Sequence, residues 1–469
     1  MIPSWSVFAG AAAVLIIGWC VYRAIIRAKT PQGAVGWVVF LIAAPWVAVP
    51  AFLLIGRNRF RRNADKRQVS RIAAESMAGD APGLCRAAAW HPRLHAFERL
   101  SGLPVTVGNE VDLLVDGEAT FDAIMAALDG AERYICLQFY EIADDTLGTA
   151  LAGRLIAAAR RGVEVRVLYD SVGSYALGRA YLERLEVAGV KVAAPSLAIW
   201  PPWRMQINFR NHRKVVVIDG QTGFLGGHNA ADDYLGKGKL FDHWRDTHLR
   251  LRGPVVAQLQ RGFAEDWHWA TGEALNGLMV WNPEPLARDV AALVASMGPA
   301  DELDSGALFF VLAAALAQKR LWLASPYFVP DADVSSALTA AALRGVDVRL
   351  IVPDRSDHRL PWLAAFSYFD VLRRAGARVW RYKEGFMHQK VVLIDDDVAC
   401  VGTANLDNRS FRLNFESMAV VHDEGFAGEV AAMLEADLAR SVPLERTLRQ
   451  QRLAIRFGAP LARLFAPIL

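Results

Sequence analysis

Cysteine is scarce: Cys20, Cys85, Cys136 and Cys400 are the four in 469 residues. They form neither a CxxC pair nor a dense framework, which argues against a disulfide scaffold or a zinc site and favours a reducing compartment. Net charge is small too, at +3, so the balance gives no support for a nucleic-acid binder coated with positive charge. Charged residues make up 22% against 53% hydrophobic, which is apolar for a soluble protein and points to membrane contact. The length itself excludes little, since it accommodates two or three domains, each with its own core.

The shortage of charge is concentrated at one end. No charged side chain precedes Arg23, and a second uncharged run extends from Thr30 to Gly56. A span of about 30 Å of hydrocarbon needs about 20 apolar residues in a helix, so the two runs predict a transmembrane hairpin. A signal peptide fits less well, because no basic segment precedes the first run and a second follows directly. Trp5, Trp19, Trp37 and Trp46 supply candidates for the interfacial belt. Arg23, Arg27 and Lys29 mark the turn, whereas Arg57, Arg59, Arg61, Arg62, Lys66 and Arg67 mark the exit. The bias toward the exit predicts a cytoplasmic catalytic region, and the same basic residues are also candidates to lie on anionic headgroups.

Beyond residue 67 the pattern is that of an α/β protein in two similar halves. Arg161-Gly-Val-Glu-Val-Arg166 in the first matches Arg344-Gly-Val-Asp-Val-Arg349 in the second, each reading as a helix end, a turn glycine and a buried strand. Apolar runs at 134–140 and 321–327 precede them, and Ala188-Gly-Val-Lys-Val192 and Ala375-Gly-Ala-Arg-Val379 follow. Repeats this long are not solenoid units. They predict two lobes related by a pseudo-two-fold axis, with shared chemistry in the cleft between them.

Each half carries the same polar signature. His212-Arg-Lys214 leads to Asp219, Gly226-Gly227 and Asn229; His388-Gln-Lys390 leads at identical spacing to Asp395, Gly402-Thr403 and Asn405. The residues between lysine and aspartate are all apolar, so the signature sits at the mouth of a buried strand. A single copy would be a modest signal; two copies inside an independent repeat are not coincidence. The residue types suit phosphodiester transfer. Lys214 and Lys390 supply positive charge to the nonbridging oxygens, Asn229 and Asn405 add neutral donors, and the glycines allow close backbone approach to the phosphate. One neutral histidine attacks phosphorus while the other, protonated, serves the leaving alcohol and then activates the acceptor. Asp219 and Asp395, at the far ends of the apolar strands, are expected to fix the loops. No metal or other cofactor is required, and the spacing of His243, Asp246 and His248 matches no familiar zinc pattern. Asp246, after the first motif, and Glu416, after the second, are the candidates to orient the imidazoles.

These duplicated motifs resemble those of the phospholipase D superfamily, and within it the bacterial cardiolipin synthases. The further likeness lies in Lys29-Thr-Pro-Gln-Gly-Ala-Val-Gly-Trp37, Asn211-His-Arg-Lys214, Trp244-Arg-Asp-Thr-His248, Asn405-Leu-Asp-Asn-Arg-Ser-Phe411 and Leu413-Asn-Phe-Glu416, and it spans nearly the whole chain. The resemblance implies two phospholipase D-type lobes and a bacterial inner-membrane location. It also implies phosphatidyl transfer from one phosphatidylglycerol to another, giving cardiolipin and glycerol through a phosphohistidine. His212, Lys214, Asp219, His388, Lys390 and Asp395 then form the catalytic motifs, with His212 as nucleophile and His388 as acid and base.

The expected organisation is a hairpin with a basic segment over 1–67, a linker over 68–108, a first lobe over 109–275, a linker over 276–305, a second lobe over 306–445 and an amphipathic tail over 446–469. Leu197-Ala-Ile-Trp-Pro-Pro-Trp203 reads either as a membrane-dipping loop or as core, and Gly458 and Pro460 argue against one unbroken helix in the tail. Expected partners are phosphatidylglycerol and anionic lipids, without nucleic acid. Three alternatives stay open: a hydrolytic phospholipase D, a phosphatidyltransferase with another donor or alcohol, and a membrane-tethered nuclease, which would need a basic groove.

Overall fold

The computed structural model describes residues 4–27, 31–54, 60–79, 81, 84, 91–195 and 209–469, and the chain divides into two units. The smaller contains α1 (Ser4–Arg27), α2 (Pro31–Ala43) and α3 (Pro45–Leu54). Cys20, Ala24, Leu41, Ala48 and Phe52 pack together between these helices. Their outer faces leave Phe8, Leu15, Trp19, Ile26, Ile42 and Trp46 exposed. Among the described residues no helix is long and apolar enough to cross a membrane. The second expected span is two helices, because Pro45 offers no N–H to continue the ladder and disfavours helical backbone at Ala44. Lys29, Arg57, Arg59 and the 197–203 segment lie outside the described residues.

Arg67, expected in the basic exit, belongs instead to the larger unit. It sits near the middle of α4 (Phe60–Ala78), buried and paired with Glu265 at 2.8 Å and with Asp266, its guanidinium over the Phe415 ring. A guanidinium removed from water requires such partners, and so cannot also serve a headgroup.

In the larger unit, α5 (His95–Ser101) and β1 (Thr106–Val115) lead into α6 (Asp116–Asp129). The first half continues with β2 (Tyr134–Phe139), α7 (Thr146–Arg160), β3 (Glu164–Tyr169), α8 (Arg179–Val187), β4 (Lys191–Ala193) and β5 (Arg210–Asn211). It closes with β6 (Val215–Ile218), β7 (Thr222–Gly226), β8 (Trp244–Arg245), β9 (Thr247–Arg252) and α9 (Val255–Thr271). β10 (Val290–Met297) and α10 (Ser305–Leu316) open the second half. There follow β11 (Arg320–Ala324), β12 (Phe328–Val329), α11 (Ala332–Leu343), β13 (Asp347–Pro353), α12 (Arg359–Arg374), β14 (Arg378–Tyr382) and β15 (Phe386–Met387). The last elements are β16 (Val391–Ile394), β17 (Val398–Gly402), β18 (Leu406–Asp407), α13 (Asn408–Arg412), β19 (Asn414–His422), α14 (Glu424–Ala439), β20 (Ser441–Pro443) and α15 (Leu453–Arg463).

Both halves order their strands alike. One continuous sheet runs β20-β14-β13-β11-β16-β17-β19-β10-β1-β9-β7-β6-β2-β3-β4. Three parallel strands, β2-β3-β4 in one half and β11-β13-β14 in the other, form each wing, and antiparallel strands meet at the β1–β10 seam. The stretch over 276–305, read as a linker, therefore contains a central strand. The motif strands β6 and β16 are buried throughout, as unbroken Val-Ile-Leu runs require when both faces are covered.

The tail also departs from expectation. α15 continues through Gly458 and Pro460. Gly458 lies where a side chain would meet Leu363 on α12, so the missing Cβ allows the two helices to approach closely, and exposed Pro460 forfeits one helical hydrogen bond.

Candidate active site

The lysine-to-aspartate strands position the chemistry. At one end of β6 and β16, Asp219 and Asp395 adopt left-handed backbone with φ of 54° and 53°. Asp219 accepts the backbone N–H groups of Glu132, Arg133 and Tyr134 at 2.8–2.9 Å. Asp395 accepts those of Gln318, Lys319 and Arg320 and is paired with Arg93 at 2.9 Å. Both are straps that tie the turn after the motif strand to the start of β2 or β11, and neither lines the cleft. The structure places both at the strand ends away from the histidines of their motifs.

At the other end, His212 and His388 open into one cavity of about 850 Å³, together with Asn229 and Asn405. Each imidazole is held by a carboxylate from the opposite half. His212 Nδ1 lies 2.9 Å from Glu416 Oε2, and His388 Nδ1 lies 2.6 Å from Asp246 Oδ2. Each carboxylate therefore serves the histidine of the other half, and the strand pairing explains it. β5 pairs in parallel with β19, so that the His212 N–H donates to Phe415 O at 3.0 Å; β15 pairs in parallel with β8, so that the His388 N–H donates to Arg245 O at 2.7 Å. Each histidine therefore rides beside the other half's carboxylate.

The carboxylates are themselves fixed. Glu416 accepts from Thr403 Oγ1, Ser410 Oγ at 2.9 Å and Asn414 Nδ2 at 3.1 Å; Asp246 accepts from the Thr247 N–H at 2.8 Å. The Gly-Gly/Thr element serves these groups rather than a phosphate. A side chain at Gly227 would collide with the Asp246 carboxylate, and one at Gly402 with the backbone of Ser417. The middle residues of the motifs brace the frame: Arg213 pairs with Asp266 on α9 at 2.9 Å, and Gln389 donates to Asp437 on α14 at 2.7 Å.

Lys214 and Lys390 are fully buried below the histidines. Lys214 Nζ donates to His212 O at 2.8 Å, and Lys390 Nζ donates to His388 O and stands 2.8 Å from its Nδ1. Burial lowers both ammonium pKa values, to about 7 for Lys214 and about 8 for Lys390, against the pull of Glu416 and Asp246. Burial also holds His212 below the ordinary range despite Glu416, and holds His388 well below it, with Lys390 adding to the effect. Glu416 stays low because His212 and Lys214 outweigh its own burial.

His243, Asp246 and His248 point to different partners. His243 lies 3.9 Å from Asp116, Asp246 holds His388, and His248 is buried with its pKa pushed down to about 3 by desolvation. The cleft also includes Glu141, Tyr140, Asp357 and Tyr327, none of which carries a motif signal. The Tyr140 ring stands edge-on to His212 at 5.0 Å, and burial lifts Glu141 to about 7 with Asp233 adding to it. Both follow an apolar β-strand, where composition gives no hint that the next side chains turn into a cleft.

Comparison with known proteins agrees with this geometry. The model of the cardiolipin synthase, phospholipase D-like domain matches residues 124–267 and 313–438. Cardiolipin synthase A of Pseudomonas aeruginosa is 46% identical over 460 residues, covering 95% of this chain and 93% of its own. That of Pseudomonas fluorescens Pf-5 is 43% identical, with 95% of each covered. The crystal structure of phosphatidylserine synthase from Haemophilus influenzae shares the fold, with a TM-score of 0.59 at 16% identity over 81% of this chain and all of that one.

Proposed function

The chain belongs to the cardiolipin synthase family of phospholipase D-like phosphatidyltransferases, and from that premise we propose that it joins two phosphatidylglycerol molecules into cardiolipin and glycerol through a phosphohistidine. The observation that carries this reading is the crossed pair of carboxylate-anchored imidazoles opening into one cleft. A carboxylate that accepts the Nδ1–H keeps the proton on Nδ1 and leaves the Nε2 lone pair for chemistry. Neutral His212 attacks phosphorus through Nε2, forming the P–N bond as the P–O bond to glycerol breaks. His388, protonated, gives its proton to the departing alkoxide. It then takes the proton of the second lipid's terminal hydroxyl, which attacks phosphorus and breaks the P–N bond. The phosphodiester carries its own charge into the cleft, and that anion favours the imidazolium that burial disfavours. Lys214 and Lys390 face the nonbridging oxygens, with Asn229 and Asn405 as neutral donors.

Membrane attachment belongs to the same proposal. The exposed apolar side chains of α1, α2 and α3, among them Phe8, Leu15, Ile26, Ile42 and Trp46, are of the kind that marks a membrane-contact surface. They embed as an anchor in the bacterial inner membrane, with the catalytic unit on the cytoplasmic side. The test is incubation of the full chain in mixed micelles with labelled phosphatidylglycerol, the His388→Ala variant beside it. Cardiolipin and glycerol from the parent alone are expected. Phosphatidic acid without cardiolipin would reassign the enzyme to hydrolysis.

A further inference from the structure

The tail contains more exposed apolar surface than its packing uses. On its inner side Ala459, Ala462 and Ala466 are buried, and the Arg409 N–H donates to Leu469 O at 2.7 Å, which pins the chain end beside the cleft. On its outer side Leu453, Phe457, Leu461, Leu464, Phe465 and Ile468 recur at helical spacing and are each 50–74% exposed. From Arg446 to the end there are five arginines and no Asp or Glu. The stripe ends at the cleft, since Ile468 and Leu469 line its mouth. Three more exposed apolar side chains line the same cavity: Tyr175 and Leu240 from the first half and Leu360 from the second.

The cavity sets the size of what enters. About 850 Å³ lies within the range that encloses one drug-sized molecule, so two diacyl lipids cannot both be swallowed. Their headgroups fit and their chains must remain outside, at an apolar rim. An apolar helical face flanked by arginines at the mouth of such a cleft has the composition of an interfacial helix on anionic lipid.

We propose that this face is an interfacial docking surface: the stripe from Leu453 to Ile468, with Tyr175, Leu240 and Leu360, sits at the boundary of headgroups and acyl chains of an anionic bilayer and holds the cleft mouth against it. The orientation of the mouth rests on the phosphatidyl-transfer reading, whereas the surface does not. The docking belongs to the catalytic unit itself and is separate from any anchoring by the N-terminal helices.

The test uses the full chain with Cys85→Ser, Cys20, Cys136 and Cys400 being buried. A polarity-sensitive fluorophore is placed at Leu461→Cys, or at Glu435→Cys on an exposed face of α14 as control. The protein is reconstituted into vesicles of phosphatidylcholine and phosphatidylserine that carry a quencher on the lipid chains. Blue-shifted, lipid-quenched emission at 461 and water-like emission at 435 are expected. Water-like emission at 461 would overturn the proposal; so would shifted but unquenched emission, which would mean that a second copy or another part of the chain covers the stripe.

Activity separates docking from chemistry. The triple variant Phe457→Asp, Leu461→Asp, Leu464→Asp should lose at least about tenfold of transfer with vesicular phosphatidylglycerol and keep the parent rate with short-chain, monomeric phosphatidylglycerol. Equal loss on both substrates, or no loss on vesicles, overturns the proposal. No transfer by the parent on either substrate, with quenching intact, would sink the reaction and leave the surface standing.

Discussion

At the scale of single residues, the two imidazoles share a carboxylate on Nδ1 but differ beyond it: Lys390 stands 2.8 Å from His388 Nδ1, whereas Lys214 donates to the His212 carbonyl. Replacing a carboxylate that orients a catalytic histidine typically costs about 10²–10⁴ in kcat with the fold intact, and we expect losses in that range for Glu416→Gln and Asp246→Asn with KM little changed. An activated phosphatidyl ester, whose leaving group needs no proton, separates them. Asp246→Asn and His388→Ala should regain formation of the phosphohistidine with it, and Glu416→Gln and His212→Ala should not; trapping the acid-labile phosphoprotein reads this directly. The lysines set the alkaline side of the pH profile. An ammonium with its pKa at about 7 or 8 holds its charge below that value and loses it above, so kcat/KM should fall as pH rises through this range. Lys214→Arg keeps the charge. Its absolute rate should be lower, and the alkaline fall should move to higher pH.

At the scale of elements, the duplicated motif is a strand with a job at each end. The histidine and lysine end faces the cleft, and the aspartate end is bolted to the neighbouring β-strand by three backbone N–H groups. Asp395→Ala leaves those backbone donors without their acceptor and Arg93 with Asp397 as its remaining carboxylate, at a cost of about 1–3 kcal/mol. Thermal unfolding should therefore occur at lower temperature, while kcat measured well below that transition stays near the parent value. A loss of kcat with unchanged stability would return the aspartate to the chemistry. The motif and its apolar interior were legible from spacing alone. The backbone partners of the aspartate end, and which carboxylate serves which histidine, were not, because those partners lie in β2, at β11, just after β8 and in β19, 75 to 204 positions away.

At the scale of the molecule, the two lobes share one sheet, and one apolar cluster draws on both, from Val215 and Leu249 to Val391 and Phe426. This shared cluster joins the two halves across the seam. The catalytic unit should accordingly unfold in a single cooperative transition by circular dichroism and by tryptophan fluorescence, with coincident midpoints. Separate midpoints for the two halves would contradict the shared core. Chelation of divalent ions with EDTA should leave transfer largely unchanged, since proton transfer and charge stabilisation are assigned to side chains throughout; strict metal dependence, restored by a divalent ion, would sink that assignment.

The family, the duplication, the two cleft histidines His212 and His388 with the buried lysines Lys214 and Lys390, and the apolar strands that carry them were legible in the sequence alone, because all of these are local patterns of residue type and spacing. It named Asp246 and Glu416 as the orienting carboxylates, yet it could not say which histidine each serves. Only the tertiary structure decided that. The crossed partnership arises from parallel pairing of β5 with β19 and of β15 with β8, contacts between halves that no periodicity encodes. The same holds for Arg67, Glu141 and the strand inside the supposed linker: burial depends on what packs against a residue, and that is a property of the fold rather than of the neighbouring sequence.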